Sequence, residues 1–135
     1  MQNAFIRTVT AIALGAIPGA LGRYFMTEIT KAVIGQEFSF YGTFFINVTG
    51  CFIIAWFYTL NEKRLERFSA ETRLAIATGF CGAYTTFSTY GLETLTQVDQ
   101  GNDAIALIYW LGSMVVGMLA VQAGIILGSL KSQSE

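Results

Sequence analysis

Uncharged polar residues lie inside the apolar stretches of this sequence, and their types suit the transient binding of an ion. Asn47 shares a helix face with Thr43, one turn before it, and with Gly50, almost one turn after it. Its amide supplies two N–H donors without a positive charge, which suits a small anion. Interhelical hydrogen bonding is the alternative role, because lipid offers an asparagine no partner.

The stretch GFCGAYTTFSTYGLET, residues 79–94, gathers residues that form helices poorly. It predicts that the apolar segment containing it is broken over Gly82–Thr86. Backbone that leaves the helix at membrane depth must be surrounded by protein or by a water-filled cavity. We therefore predict that the break is buried at a subunit interface, where the freed carbonyl oxygens bind donors or a cation.

Two aromatic residues follow the break, and Phe87 and Tyr90 share a helix face because they are three residues apart. Either they pack against lipid or protein, or they turn the positive edges of their rings toward an anion. A buried Tyr90 hydroxyl needs a partner. We expect that partner to be a Ser or Thr hydroxyl, water, Asn47 or the permeating ion.

The last apolar segment places Tyr109, Ser113 and Gly117 on one face at i, i+4 and i+8. Tyr109 is typical of an interfacial aromatic residue, and Ser113 has its own helix as an alternative partner. In the first segment, Arg23 either extends to the headgroups or draws anions into a vestibule.

Four apolar segments must position these residues, because the charged residues are confined to the regions between them. Apolar residues make up 53% of the 135-residue chain and charged residues 13%. A helix needs about 20 apolar residues to cross the hydrocarbon core of a bilayer. We predict an all-α membrane protein with one domain, residues 1–135, and four transmembrane helices. The spans are about Ala4–Thr27, Phe40–Leu60, Arg73–Leu92 and Ala104–Leu130.

The composition also excludes several classes of function. The chain has no histidine, which removes zinc sites and Ser-His triads. Its net charge of −1 gives no basic surface for nucleic acid. Cys51 and Cys81 lie in apolar runs, and we interpret them as small buried residues and not as a disulfide. Four tightly packed helices cannot also surround a pore, so we expect an oligomer, most simply a two-fold dimer.

Three motifs resemble those of the Fluc (CrcB) family of fluoride-specific ion channels. GFCGAYTTFSTY (Gly79–Tyr90) resembles the signature of that family's third helix. GALGRY (Gly19–Tyr24) resembles its first-helix arginine stretch, and GTFFINVTG (Gly42–Gly50) its second-helix asparagine stretch. The resemblance covers all four segments in order. The sequence departs from the family pattern at Ala83, Tyr90 and Gly117.

The resemblance implies a dual-topology antiparallel homodimer with two fluoride pathways and a third helix broken near its middle. It implies a structural Na⁺ at the dimer interface, held by the backbone carbonyls of Gly82 and Thr85. The fluoride pathway implied by the resemblance consists of Asn47 as a ligand, Phe87 and Tyr90 as an aromatic box, Thr43, Thr86 and Ser113 as a polar track, Tyr109 as part of the wall and Arg23 in the vestibule.

The implied function is passive, fluoride-selective export through the bacterial cell inner membrane, which relieves fluoride toxicity and involves no enzymatic reaction. A small four-helix proton-coupled multidrug exporter is the alternative, and a membrane scaffold without transport activity is a third possibility. The exporter is disfavoured because no carboxylate lies in the middle of a span. Glu28 and Glu93 are predicted at span ends.

The positive charges predict an orientation that conflicts with an antiparallel homodimer. The positive-inside rule places both termini in the cytoplasm. An antiparallel homodimer needs both orientations, so either the charge bias is overridden or the chain pairs with an oppositely oriented relative. We expect the antiparallel homodimer. The residues on the more positive side are Arg7, Lys63, Arg64, Arg67, Arg73 and Lys131, and those on the other are Lys31 and Arg23.

Overall fold

A computed structural model describes residues 2–63 and 68–133, and most of these residues are helical. Helix α1 (Gln2–Ile34) is joined by a 3₁₀ turn (Gln36–Phe38) to α2 (Phe40–Lys63). Shorter pieces follow: α3 (Ala70–Arg73), a π-helical segment (Leu74–Cys81), α4 (Gly82–Tyr84) and α5 (Phe87–Asp99). Helix α6 (Asp103–Gln133) completes the described chain.

Three helices are long and apolar enough to cross a membrane: Asn3–Ile34, Phe40–Glu62 and Asp103–Leu130. Large apolar side chains such as Leu14, Ile108 and Met118 are exposed on them. An exposed apolar surface of this extent suits contact with lipid. The prediction of an all-α membrane protein is thereby confirmed. The predicted third span, Arg73–Leu92, is divided among the π-helical segment, α4 and α5, because the helix is interrupted within it.

Helix α1 continues beyond the predicted end at Thr27. No residue from 28 to 34 interrupts the helix, and Lys31 Nζ donates to Glu28 Oε1 over 2.9 Å within this extension. The helix ends at Gly35, whose φ of 97° is costly for any residue with a side chain. Residues 28–34 are therefore helical, although the predicted first span ends before them.

Helix α5 also continues beyond its predicted end, from Leu92 to Asp99. It closes with a bond from the Asn102 N–H to the Gln97 carbonyl over 2.8 Å, and Gly101 between them has a φ of 77°. This geometry is the common glycine C-cap. The predicted loop Glu93–Asp103 is thus reduced to a short turn, which places Glu93 inside a helix.

Glycines allow close contact between helix backbones. A Cβ at Gly15 or Gly19 of α1 would overlap the backbone of the π-helical segment, and one at Gly124 of α6 would lie 2.6 Å from the Phe52 carbonyl oxygen of α2. Small residues commonly allow such close approach between membrane helices. At Gly112 a Cβ would meet nothing within 4 Å, so close packing does not explain that glycine.

Helix α3 begins with a capped turn and carries an ion pair to α1. Ser69 Oγ accepts a hydrogen bond from the Thr72 N–H over 3.2 Å, which caps α3. Glu71 pairs with Arg7 over 2.7 Å, and a backbone hydrogen bond and this arginine hold the pKa of Glu71 below its usual value. Four residues counted for the predicted orientation cannot be placed: Arg64 and Arg67, and the side chains of Lys63 and Lys131, lie outside the described residues.

Candidate functional site

The break occupies two residues, Thr85 and Thr86, and both are extended rather than helical. Thr85 ends α4, where its N–H and its hydroxyl both donate to the Cys81 carbonyl, over 3.0 and 2.9 Å. Thr86 begins α5, where its hydroxyl oxygen accepts the Thr89 N–H over 3.2 Å. The predicted break over Gly82–Thr86 is therefore present but narrower, because Gly82 remains helical.

Asn47 of α2 joins the break by two hydrogen bonds. Its Nδ2 donates to the Thr86 carbonyl over 3.0 Å, and its Oδ1 accepts the Thr86 N–H over 2.8 Å. The amide oxygen thus replaces the helical acceptor that the Thr86 N–H has lost, while Nδ2 binds a carbonyl that already accepts the first hydrogen bond of α5. The interhelical role left open for Asn47 is present. One N–H of its amide remains for a further acceptor, since Nδ2 carries two.

The carbonyl oxygens of the last turn before the break, residues 82–85, lose their helical donors. In an uninterrupted helix the Thr86 N–H would donate to the Gly82 carbonyl, and the Thr89 N–H to the Thr85 carbonyl. These donors are instead engaged by Asn47 Oδ1 and by Thr86 Oγ1. The freed oxygens therefore include those of Gly82 and Thr85, the pair that the family resemblance implies as Na⁺ ligands.

Tyr90 is buried, and its hydroxyl donates to the backbone carbonyl of Trp110 in α6 over 2.7 Å. The partner is therefore not one of the side-chain, water or ion partners that we expected. The reason is the close approach of α5 to α6, which places a backbone oxygen at the end of the ring. Phe87 differs, since 81% of it is exposed although its ring centroid lies 6.0 Å from that of Tyr90.

A second polar group centres on Glu93 of α5. Thr43 Oγ1 donates to one carboxylate oxygen over 2.9 Å, and the Tyr109 hydroxyl donates to the other over 2.8 Å. Tyr109 is buried, with its ring 5.1 Å from Tyr90 and 5.4 Å from Phe40. Helix α5 continues past Glu93 and turns it toward the first turns of α2 and α6, so its predicted place near the span ends stays a prediction.

The two remaining predicted residues contribute differently. Ser113 Oγ donates to the Tyr109 carbonyl one turn earlier over 2.6 Å, which is the own-helix role left open for it. Arg23 is half-buried on α1, forms none of the ion pairs in the described part of the chain, and does not border the other predicted residues.

Most of the predicted site residues line one open cleft of about 430 Å³, which we call the central cleft. It lies beside the break, between α2 and the segments that follow it. Small and apolar residues complete its wall, among them Gly50, Cys51 and Met114. The predicted residues that line it are Asn47, Gly82, Thr85, Thr86, Phe87, Tyr90 and Ser113.

Two buried contributors were missed from the sequence. Glu93 accepts from two of the predicted residues, and Tyr84 bonds through its hydroxyl to Thr49 Oγ1 over 3.0 Å. A signal for Glu93 exists in the sequence, because it follows Tyr90 by three residues and so shares its helix face. Tyr84 lies inside the motif itself, in an i+4 relation to Phe80, whose ring it stacks on at 5.6 Å.

These elements define a multi-pass membrane protein in which a broken helix presents amide, hydroxyl and aromatic groups to an open cleft. The family model described as "CrcB-like protein, Camphor Resistance (CrcB)" matches residues 10–125. The chain belongs to this CrcB-like family, which confirms the resemblance noted in the sequence.

Relatives agree over nearly the whole chain. A protein of Trichormus variabilis named fluoride-specific ion channel FluC is 48% identical over 130 residues, 96% of this chain and 94% of that protein. A protein of the same name from Synechococcus sp. is 44% identical over 130 residues, 96% of this chain and 98% of its own. Another protein of that name, from Acidobacterium capsulatum, is 44% identical over 118 residues, which cover 87% of this chain and 93% of that protein.

Proposed function

We propose that this protein is a passive, fluoride-selective ion channel of the bacterial cell inner membrane, and not an enzyme. The observation that carries the proposal is the near full-length similarity to proteins named fluoride-specific ion channels. The physical logic is that hydrogen fluoride enters a cell as a neutral weak acid and ionises inside. A passive anion pathway driven by the membrane potential then expels fluoride and relieves its toxicity.

The chemistry of the central cleft supports this proposal. Fluoride is small and strongly hydrated, so its pathway must replace water with neutral donors that also release it. Asn47 keeps one free N–H beside the cleft, and Phe87 is exposed with a ring edge to offer. We place fluoride between these groups, with Tyr90, Thr86 and Ser113 in the surrounding wall.

The group around Glu93 forms a second part of the proposed pathway. Thr43 and Tyr109 carry neutral hydroxyl donors that suit fluoride, but both hydroxyl hydrogens are directed to the Glu93 carboxylate. Glu93 must therefore release a hydroxyl before that hydroxyl donates to fluoride. Arg23 is the proposed vestibule residue, where its charge raises the local concentration of anions.

Glu93 also favours the alternative function, because a partly buried carboxylate is what a proton-coupled exporter requires. This carboxylate lies near the span ends and not at their middle, since its partners Thr43 and Tyr109 are within two turns of the starts of α2 and α6. The relatives' names and the family weigh against an exporter. An exporter would need a proton gradient for transport, whereas a channel conducts without one.

We further propose a single membrane domain with four spans, the third of them made from the pieces on either side of the break. Two such subunits would form an antiparallel homodimer, with an oppositely oriented relative as the alternative partner. The exposure of Phe87 and the open central cleft support a covering subunit. Polar groups in that cleft would otherwise face lipid, which offers them no hydrogen bonds.

The carbonyl oxygens of Gly82 and Thr85 fit the proposed Na⁺. They are hard oxygen donors that lack their helical partners, and a Cβ at Gly82 would meet nothing within 4 Å. With no carboxylate among the cleft residues, a monovalent ion is favoured over Ca²⁺ or Mg²⁺. The ion would neutralise four inward-facing carbonyl dipoles on the dimer axis. Reconstitution with a large organic cation in place of Na⁺ should lower fluoride flux, and unchanged flux would refute this assignment.

Growth of a fluoride-sensitive bacterial strain tests the proposed function in a cell. Expression of the chain should restore growth in fluoride, whereas the Asn47→Ala variant at equal membrane abundance should not. If the strain grows no better with the parent chain than with an empty vector, fluoride export is not the function.

A further inference from the structure

A second polar cleft lies at the membrane end of α2, away from the break; we call it the Arg73 cleft. It has a volume of about 400 Å³ and opens to the surface. Its wall comes from the last turns of α2, from α3 and from the first turns of the π-helical segment. The residues that line it are Tyr58, Asn61, Ala70, Arg73, Leu74 and Thr78.

Asn61 contributes a buried acceptor without a partner. Its Oδ1 is fully buried, and no hydrogen-bond donor reaches it from the residues that the structure describes. A buried acceptor left unpaired is unfavourable, because it has lost its bonds to water without replacement. A donor from outside the described chain therefore belongs at this point of the cleft.

Arg73 contributes a positive charge that no carboxylate of the described residues pairs with. Its side chain is exposed, and it takes part in neither of the ion pairs found in the described residues. The nearest acidic residue in sequence, Glu71, is engaged by Arg7 over 2.7 Å. A guanidinium offers a planar pair of N–H donors that matches phosphate oxygens. Within the Arg73 cleft, a phosphate group would complete what the chain leaves unpaired.

The depth of the cleft in the membrane restricts the source of that phosphate. The apolar span of α2 is Phe40–Glu62, so Asn61 lies at its last turn. This is the level at which lipid headgroups begin, and Tyr58, with half of its surface exposed, is the kind of aromatic residue found there. Leu74 gives the wall an apolar portion on the side of the hydrocarbon.

We propose that the Arg73 cleft binds the headgroup of a phospholipid that carries a hydroxyl or ammonium donor beyond its phosphate. The phosphate pairs with Arg73, and a rotation of the Asn61 side chain, which borders the cleft, brings its vacant acceptor to the headgroup donor. Thr78 and Tyr58 add hydroxyls on either side. The proposal uses only described residues and requires no fluoride, so it stands or falls separately from the proposed channel.

Lipid retention measured by native mass spectrometry tests this site on the purified full-length protein. We expect phosphatidylglycerol and phosphatidylethanolamine to be retained more strongly than phosphatidylcholine, which has the phosphate but no donor. Arg73→Gln should weaken all three by about tenfold, the effect of losing a charge-assisted hydrogen bond. Asn61→Leu should abolish the preference among headgroups. Lys31→Gln, which removes a cation already paired with Glu28, is the matched control and should bind as the parent does.

A third variant keeps the test decisive if Asn61→Leu fails to fold. Thr78 is exposed at the cleft, so Thr78→Phe should fill the cleft, leave the fold intact and displace the lipid. The proposal is overturned if Arg73→Gln and Thr78→Phe both retain lipid as the parent does. It is also overturned if inorganic phosphate or glycerol phosphate displaces the bound lipid at equal concentration, since the site would then take free phosphate.

Discussion

At the residue scale, the side-chain amide of Asn47 has both a structural and a proposed functional role. It pairs with the N–H and the carbonyl of Thr86, and it keeps one N–H toward the central cleft. The two roles are compatible, because the structural bonds fix the orientation in which the remaining N–H is presented. A side chain held in this way loses little further entropy when it binds an ion.

Asn47→Ala should therefore damage both the fold and fluoride flux. It leaves the Thr86 N–H unpaired and removes one of the donors to the Thr86 carbonyl, so we expect the free energy of unfolding to fall by about 1–3 kcal/mol. Thermal unfolding and fluoride efflux measure the two effects. Thr96→Ala, which removes an exposed hydroxyl bonded only to its own helix, is the control. Parental stability in Asn47→Ala would contradict the structural role.

Substitutions at the two rings separate packing from conduction. Tyr90→Phe removes one hydrogen bond to Trp110, so we expect stability to fall by about 1 kcal/mol and fluoride flux to change by less than about tenfold, or about 1.4 kcal/mol. Tyr90→Ile should lose more flux, because the ring edge is lost too. If Tyr90→Ile forms a folded dimer that conducts like the parent, Tyr90 only packs.

Phe87→Ile gives the cleaner result, because 81% of Phe87 is exposed in one subunit. Its loss should cost the isolated fold little while reducing fluoride efflux as strongly as Tyr90→Ile does. Efflux at the parental rate, with parental thermal stability, would remove Phe87 from the proposed aromatic box.

The residues of the break could be predicted from the sequence, whereas the hydrogen-bond partners of Glu93 could not. Asn47, Thr86 and Tyr90 lie in local motifs whose composition departs from that of the surrounding apolar runs. Glu93 directly follows the uncharged run, so its position in the sequence alone suggests the boundary between membrane and water. Only the length of α5 and its packing against α2 and α6 bring Thr43 and Tyr109 to its two oxygens.

At the element scale, the sequence predicts that the third segment breaks but not how it breaks. Glycine and β-branched residues disfavour a continuous helix over several positions, and composition cannot choose among them. The break lies at Thr85 and Thr86 because Thr86 caps α5 and the side-chain amide of Asn47 binds the Thr86 peptide. The π-helical segment before the break had no signal in the sequence. The ends of α1 and α5 were placed too early because the glycines that end them, Gly35 and Gly101, were not used.

Glycine substitutions test how α1 is held against the π-helical segment. In Gly15→Ala the new Cβ would overlap the backbone of Ala75, which cannot rotate away as a side chain can. We expect a loss of about 1–3 kcal/mol in unfolding free energy. Gly112→Ala is the matched control, because nothing lies within 4 Å and alanine favours the helix by up to about 1 kcal/mol. Equal melting temperatures for the two variants would contradict the packing account.

At the scale of the whole molecule, the charge distribution and the proposed dimer predict different orientations of the chain in the membrane. The positive-inside rule favours one orientation, whereas an antiparallel homodimer needs two. We expect both, because the central cleft needs a covering subunit. Single cysteines placed in the loop 61–72 of intact cells, in a background lacking Cys51 and Cys81, should react with an impermeant thiol reagent in part of the population. Labelling from one side only, in a homodimer that conducts, would contradict the antiparallel arrangement.

Ion efflux from liposomes tests the central claim most directly. Vesicles containing the purified protein and loaded with fluoride or chloride are diluted into a medium free of that anion, and an ion-selective electrode records its release. With a K⁺ ionophore to balance charge and no proton gradient, the account predicts rapid release of fluoride and hardly any of chloride. Equal release of the two anions, or fluoride release only when a proton gradient is imposed, would contradict a passive fluoride-selective channel.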